Sequence, residues 1–233
     1  MKNINYSEQF HKNGFVIIKD FFKINEIEAF EKSLMKTYSG FFKIKLNKKN
    51  IHKIISKLEY EGMYDLLYGA LKKFIKTEPF KKASIRLTKY SQKLFNRKYK
   101  HANSGMAIGI KKSKRTAYKW HQEKPYYKSF STIHYQFPIL NSNNLKNGTM
   151  SVLSGSHNLG FIKKVDNYKL SKKSINSFVP KNIVNIKKKY PEKFINMNLK
   201  DILLFDENII HRSNKNTSDK VRFAGIIRLR EIK

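Results

Sequence analysis

From about residue 105 to the C-terminus, the apolar residues come in short bursts: "GMAIGI", "FSTIHYQF", "GTMSVL", "DILLF" and "RFAGIIRLR". Each burst is continuous or alternating, and Asn, Gly, Ser or Lys separates it from the next. Such segments are too short for buried helices. Their length and punctuation suit antiparallel strands that close into a sandwich or small barrel. This pattern predicts a mainly β fold for residues 101–233.

The first hundred residues read differently. Phe15 to Ile18 predicts one early strand, entered through Gly14. Asn25 with Glu28 three residues on resembles a capping box, and Ile27, Phe30 and Leu34 give the following helix an apolar stripe that Gly40 can end. Ile51, Ile54, Ile55 and Leu58 repeat the helical spacing. So do Met63, Leu66, Leu67, Ala70, Leu71 and Phe74, in a run that Pro79 is expected to stop. No linker separates this mainly helical part, residues 1–100, from the strands. The expectation is therefore one domain over residues 1–233, with the helices on the outside of one sheet. The polar stretch between Gly160 and Asp201 has weak periodicity and predicts a long covering loop, with a lid over the site from about Lys163 to Lys200.

Composition narrows the chemistry. The chain has no Cys, which excludes disulfides, thiolate metal sites and a Cys nucleophile. It has no apolar run long enough to cross a bilayer, and "MKNINYSEQFHKNG" lacks a signal-peptide core, so a cytoplasmic location is expected. The formal net charge is +32. Such a charge suits nucleic acid or an anionic surface. Here, however, the Lys residues are spread along the chain among many Asn and Ile, as an AT-rich coding sequence would produce. Compositional bias is the preferred reading, and an anionic small-molecule partner is compatible with it.

The segment "YKWHQEKPYY" crowds Trp120, His121 and Glu123 together. On an extended chain residues i and i+2 point the same way, so His121 and Glu123 can grip one metal while Gln122 points away. Two solvated residues at a strand end fit the same spacing. Further along, the apolar "DILLF" leads through a polar turn to His211, with Ser213 two residues on. Arg222 opens the next apolar strand, eleven positions after His211. A guanidinium in such a strand needs a carboxylate partner. None lies in "VRFAGIIRLR", so a dicarboxylate ligand would serve. Two His and one carboxylate on one face, with open positions opposite, is the ligand set of non-haem Fe(II) oxygenases.

Four segments, in order, resemble the phytanoyl-CoA dioxygenase family of Fe(II)/2-oxoglutarate-dependent oxygenases. These are "FHKNGFVIIKDFF", "WHQE" with "PYY", "NGTMSVLSGSHNLG" and "DILLF…HRSNKNTSDKVR". The resemblance implies a double-stranded β-helix, a cupin-like jelly roll with flanking helices. It implies metal ligation by His121, Glu123 and His211, and 2-oxoglutarate binding by Arg222 and Ser213, with Gln136 in the co-substrate pocket. His134 and Tyr127 become candidate substrate contacts. The chain departs from the family at three points: Glu123 stands for the usual Asp, Ser154 for a Pro, and Gln136 for a common Trp. A carboxylate at 123 argues against a halogenase. His157 reads as a brace of its turn, Asp201 and Asp206 as turn residues, and Trp120 as a core anchor.

The implied activity is hydroxylation of a small molecule, consuming dioxygen and 2-oxoglutarate and releasing succinate. The rivals are an inactive binding protein on the same fold, a zinc protein and a basic nucleic-acid-binding module. No HExxH spacing supports zinc chemistry, and no clustered basic helix supports the nucleic-acid module.

Overall fold

The computed structural model of the protein describes residues 5–127, 129–163 and 179–232. Helix α1 (Tyr6–Asn13) is capped by Asn5, whose Oδ1 accepts the Glu8 N–H at 3.1 Å, and ends at Gly14. Strand β1 (Phe15–Ile18) matches its sequence assignment. Helices α2 (Ile24–Phe42), α3 (Ile51–Tyr60), α4 (Tyr64–Phe74) and α5 (Glu78–Phe95) follow. The remaining elements are β2 (Tyr99–Gly109), β3 (Thr132–Pro138), β4 (Met150–Leu153), α6 (Ile183–Lys189), β5 (Glu192–Phe194), β6 (Ile202–Asp206), β7 (His211–Ser213) and β8 (Arg222–Glu231).

All strand pairs are antiparallel and form two sheets of order β1-β6-β3-β8-β2 and β5-β4-β7. The two sheets make the expected jelly roll. The helices cover one face of the larger sheet: Phe22, Phe30 and Phe80 pack on Phe137 of β3 with ring centroids 5.0, 5.1 and 5.9 Å away. Strand alternation then decides where the polar residues go. Ile133, Tyr135 and Phe137 of β3, and Phe223, Ile227 and Leu229 of β8, belong to the helix-side core. The opposite parity carries Thr132, His134 and Gln136 on β3, and Arg222 and Arg228 on β8. That face looks toward the smaller sheet, where Leu203 and Phe205 of β6 pack with Met150 and Val152 of β4. A sheet covered on both sides normally reads as continuous apolar sequence. Polar side chains on its inner face therefore mark a site.

Four sequence expectations need correction. Pro79 does not stop a helix; it stands in the first turn of α5, where its missing N–H costs nothing. Helix α2 starts at Ile24, so Asn25 lies inside it rather than capping it. Its cap is Lys23, whose backbone N–H donates to Glu26 at 2.8 Å. Gly40 lies inside α2, which ends at Lys43 in the left-handed conformation. Finally, the polar stretch after Gly160 is not one loop. Residues 164–178 of the expected lid lie outside the described residues. Residues 179–200 include α6 and β5, and Ile183, Ile186 and Tyr190 pack on Trp120, Leu153 and Ile210. No helix among the described residues is long and apolar enough to cross a membrane.

The "NG" turn before β4 sets the position of the smaller sheet. Gly148 has φ +81°, and a Cβ there would lie 2.7 Å from the Asn214 carbonyl oxygen and 2.9 Å from the Asn216 nitrogen. Both are backbone atoms and cannot swing aside. Gly148→Ala should therefore destabilise the protein by about 1–3 kcal/mol. Urea unfolding should show a lowered midpoint at unchanged slope; an unchanged midpoint would mean that the turn relaxes freely.

Candidate metal centre

The segment carrying His121 joins the smaller sheet through a single bridge to β7. His121 N–H donates to the His211 carbonyl and His211 N–H to the His121 carbonyl, both at 2.9 Å. Residues that exchange both bonds stand directly opposite and project to the same side. The two imidazole centroids lie 4.1 Å apart. Each ring is held from behind. His121 Nδ1 lies 2.7 Å from the Lys119 carbonyl and His211 Nδ1 3.0 Å from the Ile209 carbonyl. A carbonyl only accepts, so both Nδ1 atoms carry hydrogen and both Nε2 lone pairs are free to ligate.

Glu123 completes the group by a different route from the extended chain expected. The backbone turns at Glu123 (φ −83°, ψ −26°) into a short 3-10 turn, Lys124–Tyr126. The N–H groups of Glu123 and Lys124 both donate to the Glu207 carbonyl at 2.9 Å, which pins the turn. Glu123 Oε1 then lies 3.6 Å from His211 Nε2 and 3.9 Å from His121 Nε2. The ligand atoms of the three residues all fall within 4.8 Å of one another, so the cluster is able to hold a metal ion. Gln122 does point away, and it is buried. Its amide donates to the Gly160 and Asn208 carbonyls at 2.8 and 2.5 Å and accepts the Ile162 N–H at 2.9 Å.

The electrostatics suit a cation. Burial lowers the His121 pKa to about 3, reinforced by His211, so the ring is neutral at physiological pH. Burial alone would raise the Glu123 pKa, but the neighbouring Arg228 charge opposes it, and the carboxylate is held ionised, well below the usual range. Arg228 was not singled out from the sequence. Its Nη2 lies 3.5 Å from Glu123 Oε2, and its Nη1 donates to Asn103 Oδ1 at 3.2 Å.

A cavity of about 610 Å³ opens on this cluster. Its walls include His121, Glu123, His211, Gln136, Ser213, Tyr127 and Arg228. Arg222 lies behind Ser213, whose Oγ accepts from Nη2 at 3.4 Å. It is 1% exposed, and its Nε and Nη1 have no partner. Burial lowers its pKa to about 10, so it stays charged at neutral pH. The Gln136 carbonyl oxygen is likewise buried and unpartnered.

His134 is fully buried and is not part of the cavity wall. Thr132 Oγ1 donates its one proton to Glu207 at 2.8 Å, so it must accept from His134 Nε2, also 2.8 Å away. That leaves His134 Nδ1 facing Glu123 Oε2 at 3.9 Å. Glu207 receives Thr132 N–H at 3.0 Å and sits 3.0 Å from Lys124 Nζ, which ties β3 to the metal-side turn. His157 lies away from the cluster, with Nε2 2.9 Å from the His11 carbonyl, and its ring fills the space beside Gly14. Trp120 packs on Leu153 and Ile210 under the Arg212 guanidinium, 4.7 Å from its ring. Asp201 accepts from Lys19 Nζ, Asn198 N and Asp20 N, and Asp206 accepts from Asn208 N; Asp201 lies just before β6 and Asp206 is its last residue, each bonded to an adjoining turn.

The family model for phytanoyl-CoA dioxygenase matches residues 10–224. No curated protein sequence matches the chain. Among solved structures, EctD from S. alaskensis, crystallised with 2-oxoglutarate and 5-hydroxyectoine, superposes with a TM-score of 0.65 at 14% identity, covering 98% of this chain and 76% of that one. SnoK, a non-heme alpha ketoglutarate dependent carbocyclase from nogalamycin biosynthesis, gives 0.65 at 14% identity, covering 98% and 84%. The non-heme monooxygenase ThoJ, in a nickel complex, gives 0.62 at 14% identity, covering 97% and 77%. At these identities the likeness establishes the shared fold.

Proposed function

The chain belongs to the phytanoyl-CoA dioxygenase family, and from that premise we propose that it hydroxylates a small organic molecule with Fe(II) and 2-oxoglutarate. His121, Glu123 and His211 would hold the iron, and Arg222 with Ser213 would hold the far carboxylate of 2-oxoglutarate. When bound, ferrous iron supplies the redox chemistry: dioxygen and 2-oxoglutarate are consumed, succinate and carbon dioxide leave, and one oxygen atom enters a C–H bond of the substrate.

One observation supports this reading above the others. Arg222 is a buried cation whose Nε and Nη1 are unpartnered, with no carboxylate beside it among the described residues. Folding leaves it with an unmet cost that an incoming carboxylate would remove. The His–Glu–His cluster fits iron for a separate reason: both Nδ1 atoms are committed to carbonyls, so both Nε2 atoms present lone pairs. The protein's own part in the reaction is to orient and to exclude water. Ser213 would donate its hydroxyl to the co-substrate carboxylate, with the Gln136 amide beside it. Tyr126 and Tyr127 line the cavity mouth, and Asn103 holds Tyr127 through its hydroxyl at 3.0 Å.

The direct test is anaerobic titration of the purified protein with Fe(II) and then 2-oxoglutarate, followed by admission of air and assay of succinate. Absence of iron binding, or of iron-dependent succinate release, would refute the reading. Glu123 refines the test, because it reaches the cluster from a turn rather than a strand. Glu123→Asp keeps the charge and loses one methylene of reach, so iron affinity should fall by roughly 10- to 100-fold, like the loss of a supporting group around a metal site. Glu123→Ala should fall further and lose hydroxylation. Equal iron affinity in Glu123→Ala and the parent would show that another carboxylate serves the metal.

A further inference from the structure

Arg228 pairs with the ligand Glu123 and lines the same cavity, yet it is neither an iron ligand nor part of the Arg222–Ser213 anchor. Arg222, Ala224, Ile226 and Arg228 share one face of β8, and the two arginines are six residue steps apart, roughly 20 Å of backbone. Arg222 meets Ser213 at one end of the site. Arg228 meets Glu123 at the other, 3.5 Å from Oε2. The cluster of His121, Glu123 and His211 lies between them, so Arg228 is on the side of the metal position away from the co-substrate anchor.

Charge balance then becomes specific. A dication, the Glu123 carboxylate, the 2-oxoglutarate dianion and Arg222 together sum to zero. Arg228 leaves one positive charge over. Among the described residues Glu123 is its only acidic neighbour in the cavity wall, and a metal draws on that same carboxylate. Its remaining acceptor is the neutral Asn103 Oδ1 at 3.2 Å, and its Nε is buried without a partner. A guanidinium this enclosed, with 15% of the side chain exposed, is poorly served by water. Next to it the wall is apolar and aromatic: Leu71, Ile75, Met106, Tyr126 and Ile226.

Resting on the oxygenase reading above, we propose that Arg228 is the substrate-specificity residue. It binds a single oxyanion, a carboxylate or phosphonate-type group, on a substrate whose apolar body lies against Leu71, Ile75 and Met106. The substrate is a small organic acid, anchored by its acid group on the opposite side of the iron from 2-oxoglutarate. Arg228 forms no bond to the reacting carbon; it fixes which carbon faces the metal.

The test uses the full chain, loaded anaerobically with Fe(II) and saturating 2-oxoglutarate, so that Arg222 is already occupied. Hexanoate, hexylphosphonate and hexanamide are then titrated by calorimetry. Their shared body isolates the head group. At least one anion should bind tenfold or more tightly than the amide, and whichever does so identifies the preferred oxyanion. In Arg228→Gln, loaded with Fe(II) and 2-oxoglutarate at concentrations raised until both saturate, this preference should collapse to about twofold. Equal binding of the amide and both anions to the parent would overturn the proposal without any variant. So would an anion preference that survives in Arg228→Gln. Failure of iron or 2-oxoglutarate to bind in the loading step is a separate, earlier result, and it would overturn the oxygenase reading together with this one.

Discussion

His121→Ala and His211→Ala are each expected to abolish binding of Fe(II) at concentrations that saturate the parent, and to leave the fold intact. The two effects separate because the backbone, not the side chains, builds the pair. The reciprocal N–H to carbonyl bonds between His121 and His211 do not involve the imidazoles. What each substitution removes is one lone pair from a three-ligand site and one N–H bond to a carbonyl, Lys119 in one case and Ile209 in the other. The lost hydrogen bond costs about 1 kcal/mol, too little to unfold a domain. The lost ligand leaves two donors, and two donors do not hold ferrous iron against water. Calorimetric titration under nitrogen reads the metal, and far-UV circular dichroism reads the fold. A variant of either residue that still decarboxylates 2-oxoglutarate at the parent rate would remove that residue from the ligand set.

The elements that carry this chemistry were legible because each rests on a local rule. Strands β1 and β6 announce themselves as short continuous apolar runs, and β3 and β8 by alternation, since one residue in two must face the helices. Arg222 was legible for the opposite reason: it violates that pattern, and a violation without a neighbouring carboxylate needs an external partner. Arg228 obeyed a rule that was not applied. It stands six residues after Arg222, so it has the same parity and must face the same interior. Counting by twos along "RFAGIIRLR" would have found it.

Other residues were hidden because their partners are distant in sequence. Glu207 reads as one polar residue in a turn. Its role comes from Thr132 and Lys124, more than seventy positions away. Gln122 reads as a spacer between two ligands, yet it ties together the Gly160 loop, Ile162 and Asn208. The helical half failed at its ends for a related reason. A proline can end the helix before it or open the helix after it, and sequence spacing alone does not choose between the two. Tertiary packing does: Phe80, Ala83 and Leu87 of α5 are needed to cover the sheet.

Arg222→Ala should separate stability from binding in opposite directions. Without co-substrate, Arg222 is a buried charge whose Nε and Nη1 have no acceptor and whose one side-chain bond, to Ser213, is long at 3.4 Å. Removing it takes away a desolvated, unpaired cation, and replacing such groups by apolar ones is often neutral or stabilising. The cavity left behind offsets part of that gain. The metal-free variant should therefore melt at or near the parent temperature. The co-substrate response should be lost. A shielded bidentate pair between guanidinium and carboxylate, broken by truncation of one partner, costs roughly 2–5 kcal/mol, which is about 30- to several-thousand-fold in affinity. Arg222→Lys should fall between, because an ammonium keeps the charge but not the planar fork. Ser213→Ala should show a smaller loss of the same kind, since it removes only a neutral donor. The measurement is the melting temperature with and without 2-oxoglutarate in anaerobic Fe(II) buffer. A parent-like 2-oxoglutarate shift in Arg222→Ala would place the anchor elsewhere. A steep fall in the metal-free melting temperature would show that the guanidinium is a structural strut, because an unpaired charge waiting for its ligand should not be missed when the ligand is absent.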